Sequence, residues 1–231
     1  MTVVIGYLNE HFSIIATDTR LSFEKNSTGD ASTYTDRILK LRSMPYPLGW
    51  CAGSGFTGYI DIFKDSITKC YMRNIDEIKN ICISAREKAL QQYPDKLDDI
   101  ENSKIFGSWP LNIDTGVSCE IGFIRFINGV ITLDHITKNT YFIGYPADAK
   151  AEYIEQLTIK YDVGAVSHDG DLNQVINRIL QIFNKISMQS SDVSRICEIG
   201  IQLKKGLRKL SLSGEIEELL KQGSIFDNSI L

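Results

Sequence analysis

The feature that most constrains this chain is a set of strand-like runs that are apolar on both faces. Residues 2–8 and 12–18 are rich in Val and Ile, and the short polar turn Asn9-Glu10-His11 separates them. A strand with one wet face alternates apolar and polar residues; these runs do not, so both of their faces must be covered. Residues 34–41 predict a third strand after a polar loop over 24–32, and residues 48–52 a fourth. Two helices follow. Phe56, Tyr59, Ile60, Phe63, Ile67, Cys70 and Tyr71 recur at helical spacing, as do Ile75, Ile78, Cys82, Ala85 and Ala89 behind an Asn74 N-cap.

Residues 94–114 lack a period and predict the longest connection. Strands return over 117–127 and 130–136, joined by Asn128-Gly129, a strong hairpin signal. Helices are predicted over 147–160 and 171–187, strands over 196–203 and 207–212, and a short helix over 214–221. Strand groups thus alternate with helix pairs. Two sheets packed face to face, with helices outside, bury every apolar face of such a chain. Residues 1–231 read as one domain, with no internal repeat or linker.

The bulk chemistry excludes several functions. Twenty-five Lys and Arg against 29 Asp and Glu give a net charge of −4, which argues against a nucleic-acid surface. The densest basic cluster, Lys204 to Lys209, sits around Gly206 between two apolar runs and reads as a solvated hairpin turn. The five cysteines (Cys51, Cys70, Cys82, Cys119, Cys197) are scattered through apolar runs without CxxC spacing, as buried free thiols would be. No run approaches membrane-spanning length and no secretory signal is present, so the expected location is the cytoplasm, with no membrane partner.

Three features could carry chemistry. Gly53-Ser54-Gly55-Phe56-Thr57-Gly58 matches GxGxxG between a strand and a helix. Four strands precede it and a helix follows the helix, which is the wrong context for a dinucleotide site. Its backbone N–H groups at a helix N-terminus still favour negative charge, a developing oxyanion included. Thr2 follows Met1, and a small second residue permits methionine removal. That would leave a hydroxyl beside a free α-amine, whose unperturbed pKa near ~8 lets it act as base for its own hydroxyl. Asp18-Thr19-Arg20 ends the second strand and Asp36-Arg37 lies in the third. Strand alternation places Arg37 on the apolar face with Leu39 and Leu41, where a charge needs a partner, and Asp18 is the candidate. A purely structural ion pair is the alternative.

Together Thr2-Val3-Val4-Ile5-Gly6, Ala16-Thr17-Asp18-Thr19-Arg20, Tyr34-Thr35-Asp36-Arg37-Ile38 and Cys51-Ala52-Gly53-Ser54-Gly55 resemble proteasome β-type subunits and their simpler bacterial relatives. The spacing from Thr2 to Asp18 equals that from nucleophile to aspartate in the family. The resemblance implies an α+β fold, the four-layer α/β/β/α sandwich of two antiparallel sheets of N-terminal-nucleophile hydrolases. It implies a threonine-type peptidase with Thr2 as nucleophile, Gly53 N–H as oxyanion donor, and Asp18 holding the activating cation, Arg37. Arg20, Tyr145, Asp192 and Ser194 would support the site. Leu21, Thr35, Leu39, Cys51 and Gly55 would line a small, uncharged pocket for the substrate side chain.

Neither metal nor cofactor is called for. Peptide or unfolded protein is the implied substrate and a homo-oligomeric ring or spiral the implied assembly, with an ATP-dependent unfoldase as the partner class open to it. Three departures stand out. Arg37 occupies the family's lysine position, Tyr145 replaces a serine in Ile143-Gly144-Tyr145-Pro146, and Ser191-Asp192-Val193-Ser194 lacks the glycines of the family's Asp-x-x-Ser-Gly-Gly. An inactive subunit and a small-molecule amidase on the same fold remain the alternatives.

Overall fold

The computed structural model describes residues 2–22, 34–45, 48–70, 75–110, 119–136, 140–144, 156–157, 159–160, 171–190 and 193–227. The chain opens with strands β1 (Val4–Leu8) and β2 (Phe12–Asp18), then the two-residue strands β3 (Leu21–Ser22), β4 (Tyr34–Thr35) and β5 (Arg42–Ser43), and then β6 (Trp50–Ser54). Helices α1 (Thr57–Ile67), α2 (Ile75–Gln92) and α3 (Leu97–Glu101) lead to β7 (Lys104–Pro110), β8 (Cys119–Ile127), β9 (Val130–His135) and β10 (Thr140–Gly144). Helix α4 (Leu172–Gln189) is followed by β11 (Ile196–Leu203), β12 (Lys209–Glu215) and α5 (Ile216–Gln222).

One antiparallel sheet runs β10-β1-β2-β11-β12 and the other β5-β6-β7-β8-β9. Their inner faces meet over Val4, Leu8, Ile15, Ala52, Phe106 and Ile121. The outer face of the first sheet, with Val3, Ile5, Phe12, Ile14, Ile199 and Ile201, packs on Val175, Ile176, Ile179 and Phe183 of α4. The outer face of the second, with Cys51, Ile105 and Ile124, packs on Tyr59, Ile60 and Phe63 of α1 and Cys82 and Ala85 of α2. Three apolar seams between four layers explain why the central strands read as continuous apolar runs. Trp50 ties the sheets together: its indole N–H donates to Ile201 O at 3.0 Å, and its ring lies where a Cβ on Gly200 would come within 2.5 Å.

Local chemistry accounts for the element ends. Asp171 caps α4, its carboxylate accepting the N–H groups of Asn173 at 2.9 Å and Gln174 at 3.2 Å. Asn128 (φ 52°) and Gly129 (φ 76°) form the left-handed turn of the β8–β9 hairpin. The Lys204–Lys209 cluster is the β11–β12 turn, closed by Leu203 N–H donating to Arg208 O at 2.8 Å.

Two predicted elements are corrected. The strand expected over 34–41 is only Tyr34–Thr35, because Arg37 takes a left-handed backbone (φ 70°) and ends the extended run. The connection expected over 94–114 contains α3 and β7. That strand, with Gly107, Ser108 and Pro110, carries too little apolar periodicity to announce itself, yet has a ladder on each side. The helix expected over 147–160 falls mostly outside the described residues; 156–157 and 159–160 are helical. Among the described residues no helix is long and apolar enough to cross a membrane.

Candidate functional site

The site begins where β1 and β2 run out. Val4 pairs with Thr17, so residue 3 faces residue 18 just beyond the ladder. Val3 N–H, the nitrogen of the Thr2–Val3 peptide link, donates to Asp18 Oδ1 at 2.9 Å. Asp18 is fully buried and takes further donors on Oδ2: Arg20 N–H at 2.9 Å and Ser194 N–H at 3.5 Å. Thr2, 8% exposed, is thus held at the mouth of the two strands, one peptide link from a buried carboxylate.

The cation that meets this carboxylate is Lys40. Its amine lies 3.1 Å from Asp18 Oδ1 and 3.0 Å from Oδ2, in place of the Arg37 pair that strand alternation predicted. Arg37 is exposed. The left-handed turn at Arg37 breaks the strand alternation: residues 36–41 belong to no ladder, and Lys40 is buried beside Leu41 where a regular strand would send it out. Burial pushes the Lys40 amine below its ordinary pKa, with Asp18 and Glu198 opposing that shift and Lys64 adding to it.

Glu198, a carboxylate in the apolar strand Ile196–Leu203, completes the cluster. Its Oε2 accepts Lys40 N–H at 2.8 Å and Leu41 N–H at 3.1 Å. Burial pushes its pKa up, while the Leu41 and Lys40 N–H groups pull it down. Sequence reading passed over both Lys40 and Glu198. The signal for Glu198 was available, since a lone acid in a strand buried on both faces needs a partner as much as a charge at Arg37 would on an apolar face.

The supporting residues fall into two groups. Arg20 donates from Nε to Asp36 Oδ1 at 2.8 Å and from Nη2 to Asp36 Oδ2 at 2.9 Å, with its guanidinium 3.7 Å from the Tyr34 ring centroid. That contact holds Asp36 below the usual carboxylate range. Ser194 Oγ accepts from Thr19 Oγ1 at 3.2 Å and from Ile196 N–H at 3.0 Å, joining β2 to β11 beside Asp18. Tyr145 and Asp192 lie outside the described residues.

The five predicted pocket residues have different surroundings. Leu39, 60% exposed, lines a cavity of about 410 Å³ with Thr19, Arg37, Ile196, Gly214, Glu215 and Glu218. Leu21 and Thr35 pair across β3 and β4. Cys51 is sealed against the helices, its thiol pushed up to about 12 by burial, and so faces away from the inter-sheet seam. Gly55 (φ 123°) sits where a Cβ would lie 2.3 Å from Ser103 Oγ, and Phe56 N–H donates to that same hydroxyl at 2.8 Å. The Phe56 N–H of the glycine turn is therefore satisfied within the protein. Gly53 is also a packing necessity, because a Cβ there would come within 2.5 Å of Ile60 on α1.

Two antiparallel sheets between helical layers define the N-terminal-nucleophile type of fold. Solved structures with this architecture include an Anbu (Gly-1) mutant from Hyphomicrobium sp. strain MC1, similar at TM-score 0.65 and 13% identity over 96% of this chain and 93% of that one. Anbu from Yersinia bercovieri, described as an ancestral beta-subunit, is similar at TM-score 0.64 and 12% identity over 96% and 91% of the two chains. No family model matches the sequence, and no curated protein matches it.

These neighbours correct the resemblance to proteasome β-type subunits. They are Anbu proteins, a proteasome-like but distinct family, and at 12–14% identity they establish the fold alone. The short motifs misled because they sit at strand ends and turns that the fold itself demands. Gly53, for instance, is explained by helix α1 packing upon it.

Proposed function

We propose that this chain is an N-terminal-threonine hydrolase of peptide bonds, with Met1 removed and Thr2 as nucleophile. The observation that supports it best is the Asp18 carboxylate, which binds the N–H of the Thr2–Val3 link and the Lys40 amine together. A cation is thereby held beside the hydroxyl-bearing residue, where it lowers the pKa of the Thr2 α-amine and favours the free base.

In the proposed reaction the α-amine takes the hydroxyl proton as Thr2 Oγ attacks the scissile carbonyl. The C–N bond breaks, the leaving amine takes the proton back, and an ester remains on Oγ. Water then cleaves the ester and restores the hydroxyl. Gly53 N–H is the proposed oxyanion donor. Peptide or unfolded protein is the proposed substrate. Assembly with further copies of itself belongs to the same reading, in line with the description of the Yersinia bercovieri protein as a subunit.

Intact mass of protein made in cells tests the processing step, and a β-lactone or boronate probe tests the chemistry. The expected result is loss of Met1 and one adduct per chain, mapped to the N-terminal peptide and missing in Thr2→Ala. Correctly processed protein that stays unlabelled by probes of several shapes would overturn the reading.

A further inference from the structure

We infer that Glu198 is a positioning residue of the Thr2 site: it grips the backbone N–H groups of Lys40 and Leu41 and thereby seats the Lys40 amine on Asp18. The inference rests on the reading of Thr2 as nucleophile for its catalytic meaning, though not for its geometry.

The segment that carries Lys40 is held by scattered hydrogen bonds rather than by a strand ladder. Between β4 and β5, residues 36–41 belong to no ladder, and Arg37 interrupts them with a left-handed backbone. Ile38 N–H donates to Thr19 O at 3.0 Å and Arg37 N–H to Thr19 Oγ1 at 3.4 Å. The two N–H groups nearest the lysine side chain, its own and that of Leu41, both go to a single oxygen of Glu198, at 2.8 and 3.1 Å. Lysine has a flexible four-carbon stem, so its amine is placed only as well as its backbone is placed.

The register shows why Glu198 suits this task. Strands β2 and β11 pair with Thr17 opposite Glu198 and Asp18 opposite Cys197. Adjacent strands therefore supply two carboxylates one position apart, one for the amine of Lys40 and one for its backbone. A neutral acceptor would satisfy the same N–H groups without the cost of burying a charge. The charged groups acting on Lys40 are Asp18 from β2, the like charge Lys64 from α1 and, last in size, Glu198 from β11. Its grip on the two backbone N–H groups, rather than its charge, is therefore what Glu198 contributes to Lys40.

The test compares Glu198→Gln, whose amide oxygen can accept the same two N–H groups, with Glu198→Ala, which removes the acceptor. One arm acetylates the folded proteins with acetic anhydride and maps Lys40 by peptide mass against exposed Lys221. In the parent and in Glu198→Gln, Lys40 should be about tenfold less reactive than Lys221, and in Glu198→Ala that protection should disappear. The second arm measures the rate at which a β-lactone labels Thr2. Alanine should lower it about a hundredfold, the scale of a misplacement of about 1 Å, with glutamine restoring most of the rate.

A variant series in which only thermal stability changes, with Lys40 protection and labelling rate unmoved, would overturn the inference. So would a glutamine variant as exposed and as slow as alanine. If Glu198→Ala does not fold, Glu198→Asp replaces it: the shorter carboxylate keeps the charge, loses the reach, and should expose Lys40. A parent that is never labelled at Thr2 sinks the catalytic reading alone, while the acetylation arm still decides whether Glu198 seats the lysine.

Discussion

Lys40 Nζ lies 3.0 Å from Asp18 Oδ2, with the lysine side chain 7% exposed and that of the aspartate 0%. Removing one member of a buried pair strands the other, so Lys40→Ala should lower stability by roughly 3–5 kcal/mol in urea unfolding. Arg37 gives the contrast. It is exposed, and Arg37→Ala should change stability by no more than about 0.5 kcal/mol. Its left-handed backbone (φ 70°) is costly for a residue with a Cβ, and Arg37→Gly should stabilise by up to about 1 kcal/mol. A large loss in Arg37→Ala would restore arginine as the partner of Asp18.

Gly55 should tolerate nothing larger. Its φ of 123° is a glycine conformation, and a Cβ would lie 2.7 Å from Ser103 Cα, a backbone atom that cannot swing aside. Gly55→Ala is expected to cost about 2–3 kcal/mol by the same unfolding measurement. Ser103→Ala, which leaves Phe56 N–H without its acceptor, should cost about 1–3 kcal/mol. Equal stability of Gly55→Ala and parent would show that the turn has another backbone.

Much of the fold was legible in the sequence, for a physical reason. Residues buried on both faces of a strand leave no polar alternation, and the runs over 2–8, 12–18 and 196–203 declared the middle of a layered structure. Asp18 stood out only as the partner that a charge at Arg37 would need. The cation itself was not legible. Counting faces along 34–41 assumed a regular strand, and one left-handed residue at Arg37 exchanged Arg37 for Lys40. Strand β7 was missed because its stability comes from β6 and β8 on either side, a tertiary effect that its own seven residues do not record.

The Arg20–Asp36 contact predicts a pH dependence. Asp36 titrates below its ordinary value, first because Arg20 hydrogen-bonds its carboxylate. A depressed folded-state pKa means that the contribution is complete above the unfolded value near ~3.9 and is lost as pH falls through the folded value. The stability difference between the parent and Asp36→Asn should therefore be constant from about pH 5 upward and shrink below pH ~4. Urea midpoints of both proteins between about pH 2 and 6 give the comparison. A difference that grew on acidification would carry the wrong sign for this pair.

Lys40 is also where the proposed chemistry is most exposed to test. If its charge lowers the pKa of the Thr2 α-amine, the rate of β-lactone labelling should rise with pH along a curve whose midpoint lies below the unperturbed amine value near ~8. Lys40→Met removes the charge while keeping much of the apolar stem. It should slow labelling by about 10²–10⁴-fold at neutral pH and move the midpoint upward. Lys40→Arg separates two roles for the amine. Arginine is a permanent cation, so it should recover part of the lost rate if Lys40 acts as a fixed charge, and none if the amine must give up its proton. The short contacts of Lys40 to both oxygens of Asp18 favour the fixed charge, while burial, which lowers the pKa of the amine, favours release of the proton. Thermal melts of each variant establish that the folded protein is being compared. Labelling in Lys40→Met at the parent rate and with the parent midpoint would remove Lys40 from the mechanism, leaving its pair with Asp18 as a feature of stability alone.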